Sequence, residues 1–330
     1  MNPFEYIRAE RPETAIDAVF NSQNAKFLAG GTNLIDLMKD GVEQPGRLID
    51  INRLPLKAIE PMPDGGLRLG ALARNTDTAN HPLVRSDYPL LSRAILSGAS
   101  PQLRNLATNG GNLLQRTRCF YFMDTGFPQC NKRKPGSGCG AIGGVNRIHA
   151  IFGASDQCIA THPSDMCVAL AALDATIRVR GPKGDRAIPI GEFHRLPGNT
   201  PQIDTNLQPD ELILSIDLPK SNFAQHSHYL KVRDRASYEF ALVSVAAALE
   251  MDGDSIRNAR FAMGGVAHKP WRSPEGEREL AGQQATLAAF ERAATRSVEG
   301  ARTYRDNAFK VEMAKRSVVR ALSLAAGGVA

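Results

Sequence analysis

The stretch LAGGTNLIDLMKDG, from Leu28 to Gly41, runs out of a strand pattern, AKFLAGG (Ala25 to Gly31), directly into a helical one. Apolar Leu34, Ile35, Leu37 and Met38 recur at helical spacing, and Gly41 stands where a C-cap belongs. RLIDINRL (Arg47 to Leu54) reads as the next strand, so the economical description is a βαβ unit of about 30 residues. A short amphipathic helix, ETAIDAVFNS (Glu13 to Ser22), precedes it. Glycines between a strand and a helix let backbone N–H groups converge on a phosphate, and the helix dipole adds to the attraction. An ordinary βα turn is the plain alternative. The segment is neither a nicotinamide fingerprint, since G-x-G-x-x-G is missing, nor a P-loop, since no G-K-[ST] follows.

Further along, GLRLGALARNTD (Gly66 to Asp77) starts a second unit, and SPQLRNLATNGGNLLQ (Ser100 to Gln115) repeats the glycine theme. Thr108, Asn109, Gly110, Gly111 and Asn112 combine two flexible backbone positions with short polar side chains, which suit a pyrophosphate or a ribityl chain. Two such segments can hold one dinucleotide from both sides. A loop rich in Gly, Pro, Cys and Arg then runs from about Gln115 to Arg147; loops of that length are usually functional. SDMCVALAALDATI is expected to form one core-facing helix from Ser164 to Ile177, with Met166, Leu170, Leu173 and Ile177 on its buried face and Ser164 as N-cap. ATIRVR, RAIPI and ELILSIDLP (Glu211 to Pro219) read as strands. Beyond a boundary near Lys220 to Gln225 the pattern becomes an antiparallel meander with a DGD turn, then two helices, the last NAFKVEMAKRSVVRALSLAA.

Composition excludes several classes. With 42% hydrophobic and 22% charged residues in 330, the chain reads as an ordinary globular protein of two or three domains. No apolar run approaches the roughly 20 residues that span a bilayer. MNPFEYIRAERPETA has no charged region followed by an apolar stretch, so no export signal is expected in the chain. That places it in the cytoplasm, or in the periplasm if it travels with a partner bearing a twin-arginine signal. The net charge of +6 is dispersed and aromatics are only 6%, which argues against nucleic acid as a partner. The local exception is Arg116, Arg118, Lys132, Arg133, Lys134 and Arg147, a basic collar suited to an anionic cofactor or an acidic partner.

There are five cysteines, Cys119, Cys130, Cys139, Cys158 and Cys167. An odd number without an export signal argues against a disulfide framework. Gaps of ten, eight and eighteen residues between the first four contain no C-x-x-C, so a zinc ribbon is not indicated. Four thiolates on an irregular loop do suit a [4Fe–4S] cluster, which needs no fixed spacing. Scattered free cysteines remain the alternative.

FLAGGTNLIDLMK and ASPQLRNLATNGGNL resemble the two FAD-contacting motifs of the flavin subunits of the xanthine dehydrogenase and carbon monoxide dehydrogenase group. The likeness continues through HPSD (His162 to Asp165), ELILSIDLP and YLKVRDRASYEFALVSVA (Tyr229 to Ala246), in the family's order and over nearly the whole chain. It implies an α+β fold: a two-lobed FAD-binding domain of the molybdenum-hydroxylase flavoprotein (PCMH/VAO-like) type, followed by a domain of antiparallel sheet plus helices. The implied limits are 1–221, with lobe one about 1–58 and lobe two about 59–221 including the cysteine loop 115–158, and then 222–330. By the same resemblance Leu28, Ala29, Gly30, Gly31, Thr32, Asn33, Leu34 and Ile35 wrap the pyrophosphate and ribityl region of FAD. Thr108, Gly111 and Asn112 bind from the second lobe, Asp165 makes a polar cofactor contact, and Leu214 packs near the ring system. Lys231 lies at the flavin's pyrimidine edge, where a cation compensates the anionic reduced ring. Apart from the family, Asp165 reads as support for its helix N-terminus and Lys231 as a solvated strand residue.

LLQRTRC, CNKRKPGSGC and CIATHPSDM resemble the subset of these subunits with an inserted cysteine loop, found in periplasmic aldehyde oxidoreductases and 4-hydroxybenzoyl-CoA reductases. This implies Cys119, Cys130, Cys139 and Cys158 as ligands of a [4Fe–4S] cluster and leaves Cys167 as a small core residue. The implied role is electron transfer to FAD and on to an external acceptor, with a large molybdenum-cofactor subunit and a small [2Fe–2S] subunit as partners. No substrate-oxidising residue is identified in the chain itself. Two readings compete: a self-sufficient FAD-dependent oxidase, and an assembly subunit with a structural iron–sulfur cluster and no flavin.

Overall fold

In a computed structural model, which describes residues 1–328, the βαβ unit forms as the pattern predicts. Strands β1 (Glu5–Arg8), β2 (Ala25–Leu28) and β3 (Arg47–Asp50) make a parallel sheet in the order β1-β3-β2. The helix Leu34–Lys39 is the crossover between β2 and β3. Helix Pro12–Phe20 packs Ala15, Ile16 and Val19 against this small sheet.

A five-stranded antiparallel sheet follows, in the order β4 (Ile59–Pro61), β5 (Leu67–Gly70), β8 (Leu212–Leu218), β6 (Thr176–Gly181) and β7 (Gly184–Pro189). The helices Asn75–Asn80, Pro82–Asp87 and Pro89–Ser97 contribute to its core. The third sheet is a meander of β9 (Ser227–Val232), β10 (Val243–Asp252), β11 (Ser255–Gly264) and β12 (Trp271–Arg272). Gly253, at a φ of 58°, closes the β10–β11 turn where the DGD sequence predicts one. Residues on β10 alternate as a pleated strand requires. Val243, Val245, Ala247 and Leu249 pack toward helices Leu287–Ser297 and Phe309–Ala325, while Ala246 and Ala248 face the core of the five-stranded sheet.

The helix expected over Ser164–Ile177 is shorter. It spans Asp165–Ala172, with Ser164 Oγ accepting from Cys167 N at 3.0 Å as foreseen. Asp174 then turns left-handed (φ 51°), Ala175 N bonds Leu170 O at 3.1 Å, and Ile177 belongs to β6. This C-terminal motif satisfies the last carbonyls. Periodicity cannot locate such an end because all eight helical residues are buried. Among the described residues no helix is long and apolar enough to cross a membrane.

Candidate cofactor cleft and cysteine pocket

The two glycine segments meet. A Cβ placed on Gly30 would lie 2.1 Å from Leu106 O and 3.2 Å from Ala107 Cα, so only glycine lets the first turn abut the second. Gly31, at a φ of +72°, needs the left-handed conformation as well. The pair forms one wall of a cavity of about 470 Å³. Leu28, Ala29, Gly30, Gly31, Thr32, Asn33, Leu34, Thr108 and Gly111 line it, and Asp204, Ile213, His162, His194 and His268 complete it. Thr108 Oγ1 accepts from Gly111 N at 3.2 Å and so caps the helix Asn109–Leu113. Asn109 is fully buried and bonds Gly70 O and Thr78, which fixes the turn rather than facing the cleft.

The lining fits a dinucleotide on its own chemistry. Asn33 Nδ2 is buried beside the cleft without a partner, although Asn33 Oδ1 accepts from Arg116 N at 3.0 Å. Among the described residues His162 Nε2 and His194 Nδ1 likewise have no partner. Buried donors and acceptors carry a cost of about 1–3 kcal/mol when left unmade, so the cleft is built for a polar occupant.

The other residues named from sequence stand around this cleft rather than in it. Ile35 packs beneath Gly31. The amide of Asn112 bonds Asn75, Gln115 and Ser164 at 2.6–2.7 Å, joining the glycine turn to the helix at Asp165. Leu214 packs against the core of the three-stranded sheet, while Ile213 takes the cleft side of β8. Asp165 and Lys231 are paired at 2.8 Å and both buried; Tyr229 donates to the same carboxylate at 2.6 Å and Lys231 also bonds Ser97 O. Lys231 is therefore not a solvated strand lysine.

Sequence reasoning missed the opposite wall. Lys132, counted in the basic collar, is buried, with its ammonium against Asp204, Pro201 O (2.7 Å) and His268 Nε2 (2.7 Å). Arg116 binds the same Asp204 at 2.5 Å and also pairs with Glu43. Burial, the largest influence on Asp204, raises its pKa, but Lys132 and Arg116 together hold the carboxyl well below the usual range. Burial pushes His194 and His268 down to about 4, so both imidazoles are neutral near pH 7. Arg133 is spent on the carbonyls of Tyr121, Phe122 and Asp124, and Arg147 on Asp234. Much of the collar is thus internal scaffolding. Only its mixture of Lys and Arg with glycine hinted at anything more.

Cys119, Cys130 and Cys158 share one buried cluster with Leu37 and Phe122, and Cys139 bridges to Cys130 along the backbone. Cys139 also meets the Cys158 thiol, which draws Cys139 down to about 6 and pushes Cys158 up. Burial raises Cys119 to about 12. Among the described residues Ala160 N–H donates to Cys158 Sγ at 3.5 Å, while Phe122 N and Ile142 N bond the carbonyls of Cys119 and Cys139. All five cysteines are free thiols. Four cysteines gathered in one pocket, with an N–H donor on Cys158 Sγ and no carboxylate in the cluster, form a donor set that fits an iron–sulfur group. His149, which the sequence did not single out, places Nε2 3.1 Å from Cys119 Sγ. Cys167 stands apart, fully buried in its helix, with its sulfur within 4.8 Å of ligand atoms of His162 and His194.

Comparison with known proteins adds the family context. Residues 2–221 match the FAD binding domain in molybdopterin dehydrogenase, and residues 228–323 the CO dehydrogenase flavoprotein C-terminal domain. The chain is 51% identical to the aldehyde oxidoreductase FAD-binding subunit of Escherichia coli, over 98% of both chains. It is 31% identical to the glyceraldehyde dehydrogenase medium chain of Sulfolobus acidocaldarius, over 85% of this chain and 82% of that one. Among solved structures, carbon monoxide dehydrogenase from Hydrogenophaga pseudoflava superposes with a TM-score of 0.78 at 26% identity, covering 100% of this chain and 99% of its own.

Proposed function

Because the chain belongs to the FAD-binding medium-subunit family of the xanthine dehydrogenase and carbon monoxide dehydrogenase group, we propose that it is the electron-discharging subunit of a heterotrimeric, molybdenum-dependent aldehyde oxidoreductase. A large molybdenum-cofactor subunit oxidises the aldehyde, a small [2Fe–2S] subunit relays the electrons, and this chain delivers them to an external acceptor. The observation that carries the reading is one pocket that gathers Cys119, Cys130 and Cys158, with Cys139 bridged to Cys130, beside a glycine-walled cleft whose wall Lys132 reaches from the cysteine loop. Likeness to a subunit of an aldehyde oxidoreductase supports the substrate class.

FAD would supply the change from single-electron to paired-electron transfer, and a [4Fe–4S] cluster a one-electron relay. Leu28 to Leu34 would hold the pyrophosphate and ribityl chain through backbone N–H groups and the amide of Asn33, with Ile35 packed beneath the turn. Thr108 and Gly111 would hold the cofactor from the second lobe, with Asn112 bracing that turn from behind. Leu214 would support the ring system through β8, and the Asp165–Lys231 ion pair, neutral as a whole, would stand behind the flavin's pyrimidine edge with Lys231 as the cation nearest it.

Stopped-flow mixing of aldehyde with FAD-depleted complex tests the division of labour. Bleaching of the iron–sulfur absorbance without turnover is expected. No bleaching while the molybdenum site is intact would mean that the flavin oxidises substrate itself, as in a self-sufficient oxidase. Failure to find FAD in the purified complex would favour the assembly subunit.

A further inference from the structure

One side chain outside the loop reaches the cysteine pocket from behind, and a second holds its backbone. His149 is 1% exposed and sets its Nε2 3.1 Å from Cys119 Sγ. Its carbonyl accepts from Lys310 Nζ at 2.9 Å, and Lys310 also binds Ile148 O at 3.3 Å and Gly265 O. Lys310 comes from the helix Phe309–Ala325, is fully buried, and forms no ion pair among the described residues. Asn307 holds the same stretch through His149 O and Ala150 O.

A buried ammonium satisfied only by carbonyls has no charge balance of its own, and such groups are rare because desolvation is costly. Burial depresses Lys310 to about 7, with no carboxylate raising it. A nearby anionic group would reverse that shift. Four thiolates around a [4Fe–4S] core would carry net negative charge, and the pocket that His149 touches would then supply the missing counter-charge. An N–H donor to a ligating sulfur acts in the same direction, since it stabilises the more negative state most.

We propose that His149 and Lys310 tune the four-cysteine site toward its reduced state, His149 by a hydrogen bond to the Cys119 sulfur and Lys310 by an unpaired buried charge behind His149. Both are positioning residues, and the inference rests on the iron–sulfur reading above. The step concerned is the arrival of one electron from a reductant, with no bond made or broken and no proton required.

Dithionite titration of the intact complex, followed by electron paramagnetic resonance alongside iron analysis, tests this. Lys310→Met and His149→Phe should each keep the iron of the wild type yet be about tenfold less reduced at a fixed potential, a shift of about 59 mV to more negative values for a one-electron couple. Lys310→Arg, which keeps the charge, should titrate like the wild type. Unchanged midpoints in the two apolar variants overturn the proposal, as does loss of iron from both, which would make them supports of the fold. If the wild-type complex itself gives no [4Fe–4S] signal, the iron–sulfur reading has failed first, and that result is distinct from an unshifted midpoint.

Discussion

Gly30→Ala puts the contact between the two glycine segments to a direct test. The new methyl would stand 2.1 Å from Leu106 O and 2.9 Å from its carbonyl carbon, both backbone atoms that no rotamer change can move. Overpacking of this kind costs typically 1–3 kcal/mol, and a clash with main chain belongs at the upper end. Without cofactor the two turns can part slightly and shed the strain. With FAD spanning both they cannot, so the cost falls on binding. About 3 kcal/mol corresponds to roughly a hundredfold loss of FAD affinity. Flavin fluorescence during titration of FAD-depleted complex measures it, with Gly46→Ala as the control because nothing lies within 4 Å of that position. An affinity for Gly30→Ala within twofold of the wild type would refute the argument that the cleft needs these turns in contact.

Gly111→Val should also lower FAD occupancy, but with the fold intact, since only Thr108 Oγ1 lies near its Cβ position; cofactor content against thermal midpoint separates the two effects. Cys130→Ser should strip iron from the purified complex, whereas Cys167→Ala should leave iron content unchanged and cost only local packing; the reverse pattern in iron analysis would contradict the ligand set. Acid sensitivity follows from His194 and His268, which burial holds down to about 4 against an ordinary 6.5. The unfolded chain binds more protons than the folded one in that window, so stability is full above 6.5 and falls as pH drops toward 4. The thermal midpoint of FAD-free complex should decline over that range, with a shallower slope in His268→Gln, and a flat profile would count against buried neutral imidazoles.

The elements with strong periodicity were legible. The βαβ unit from Ala25 to Asp50, the strand at Leu212–Leu218 and the β10–β11 hairpin follow from alternation, helical spacing and the DGD turn. Asp165–Ala172 overran its true end on paper because a helix buried on every side has no polar face to mark where it stops. The glycine wall could be read from local chemistry. The opposite wall could not, because Lys132, Asp204, His194 and His268 lie up to 136 positions apart and each looks ordinary in its own neighbourhood. His149 and Lys310 were hidden for the same reason: only the tertiary fold brings the final long helix against the segment that carries His149. The cysteines were an intermediate case, since their number suggested a cluster and their irregular spacing gave no geometry.

The alanine face of β10 governs how freely this chain's parts could be exchanged with those of its relatives. Ala246 and Ala248 share a core with Met166, Val168 and Leu170, and a Cβ on Gly264 would come 2.5 Å from Val168 Cγ2. The join between the flavin-type region and the meander is therefore tightly fitted, with a buried polar network of Asp165, Tyr229 and Lys231 set beside the apolar contact, unlike the hinge-like seams across which domains usually shuffle. A meander transplanted from a relative with larger residues at 246, 248 or 264 would hold the helix Asp165–Ala172 off the sheet. It would thereby displace Asp165, whose partners Tyr229 and Lys231 ride on the transplanted strand. Viable chimaeras must carry the helix and the sheet together, so for recombination the heritable module is not the domain but the pair of surfaces that meet here.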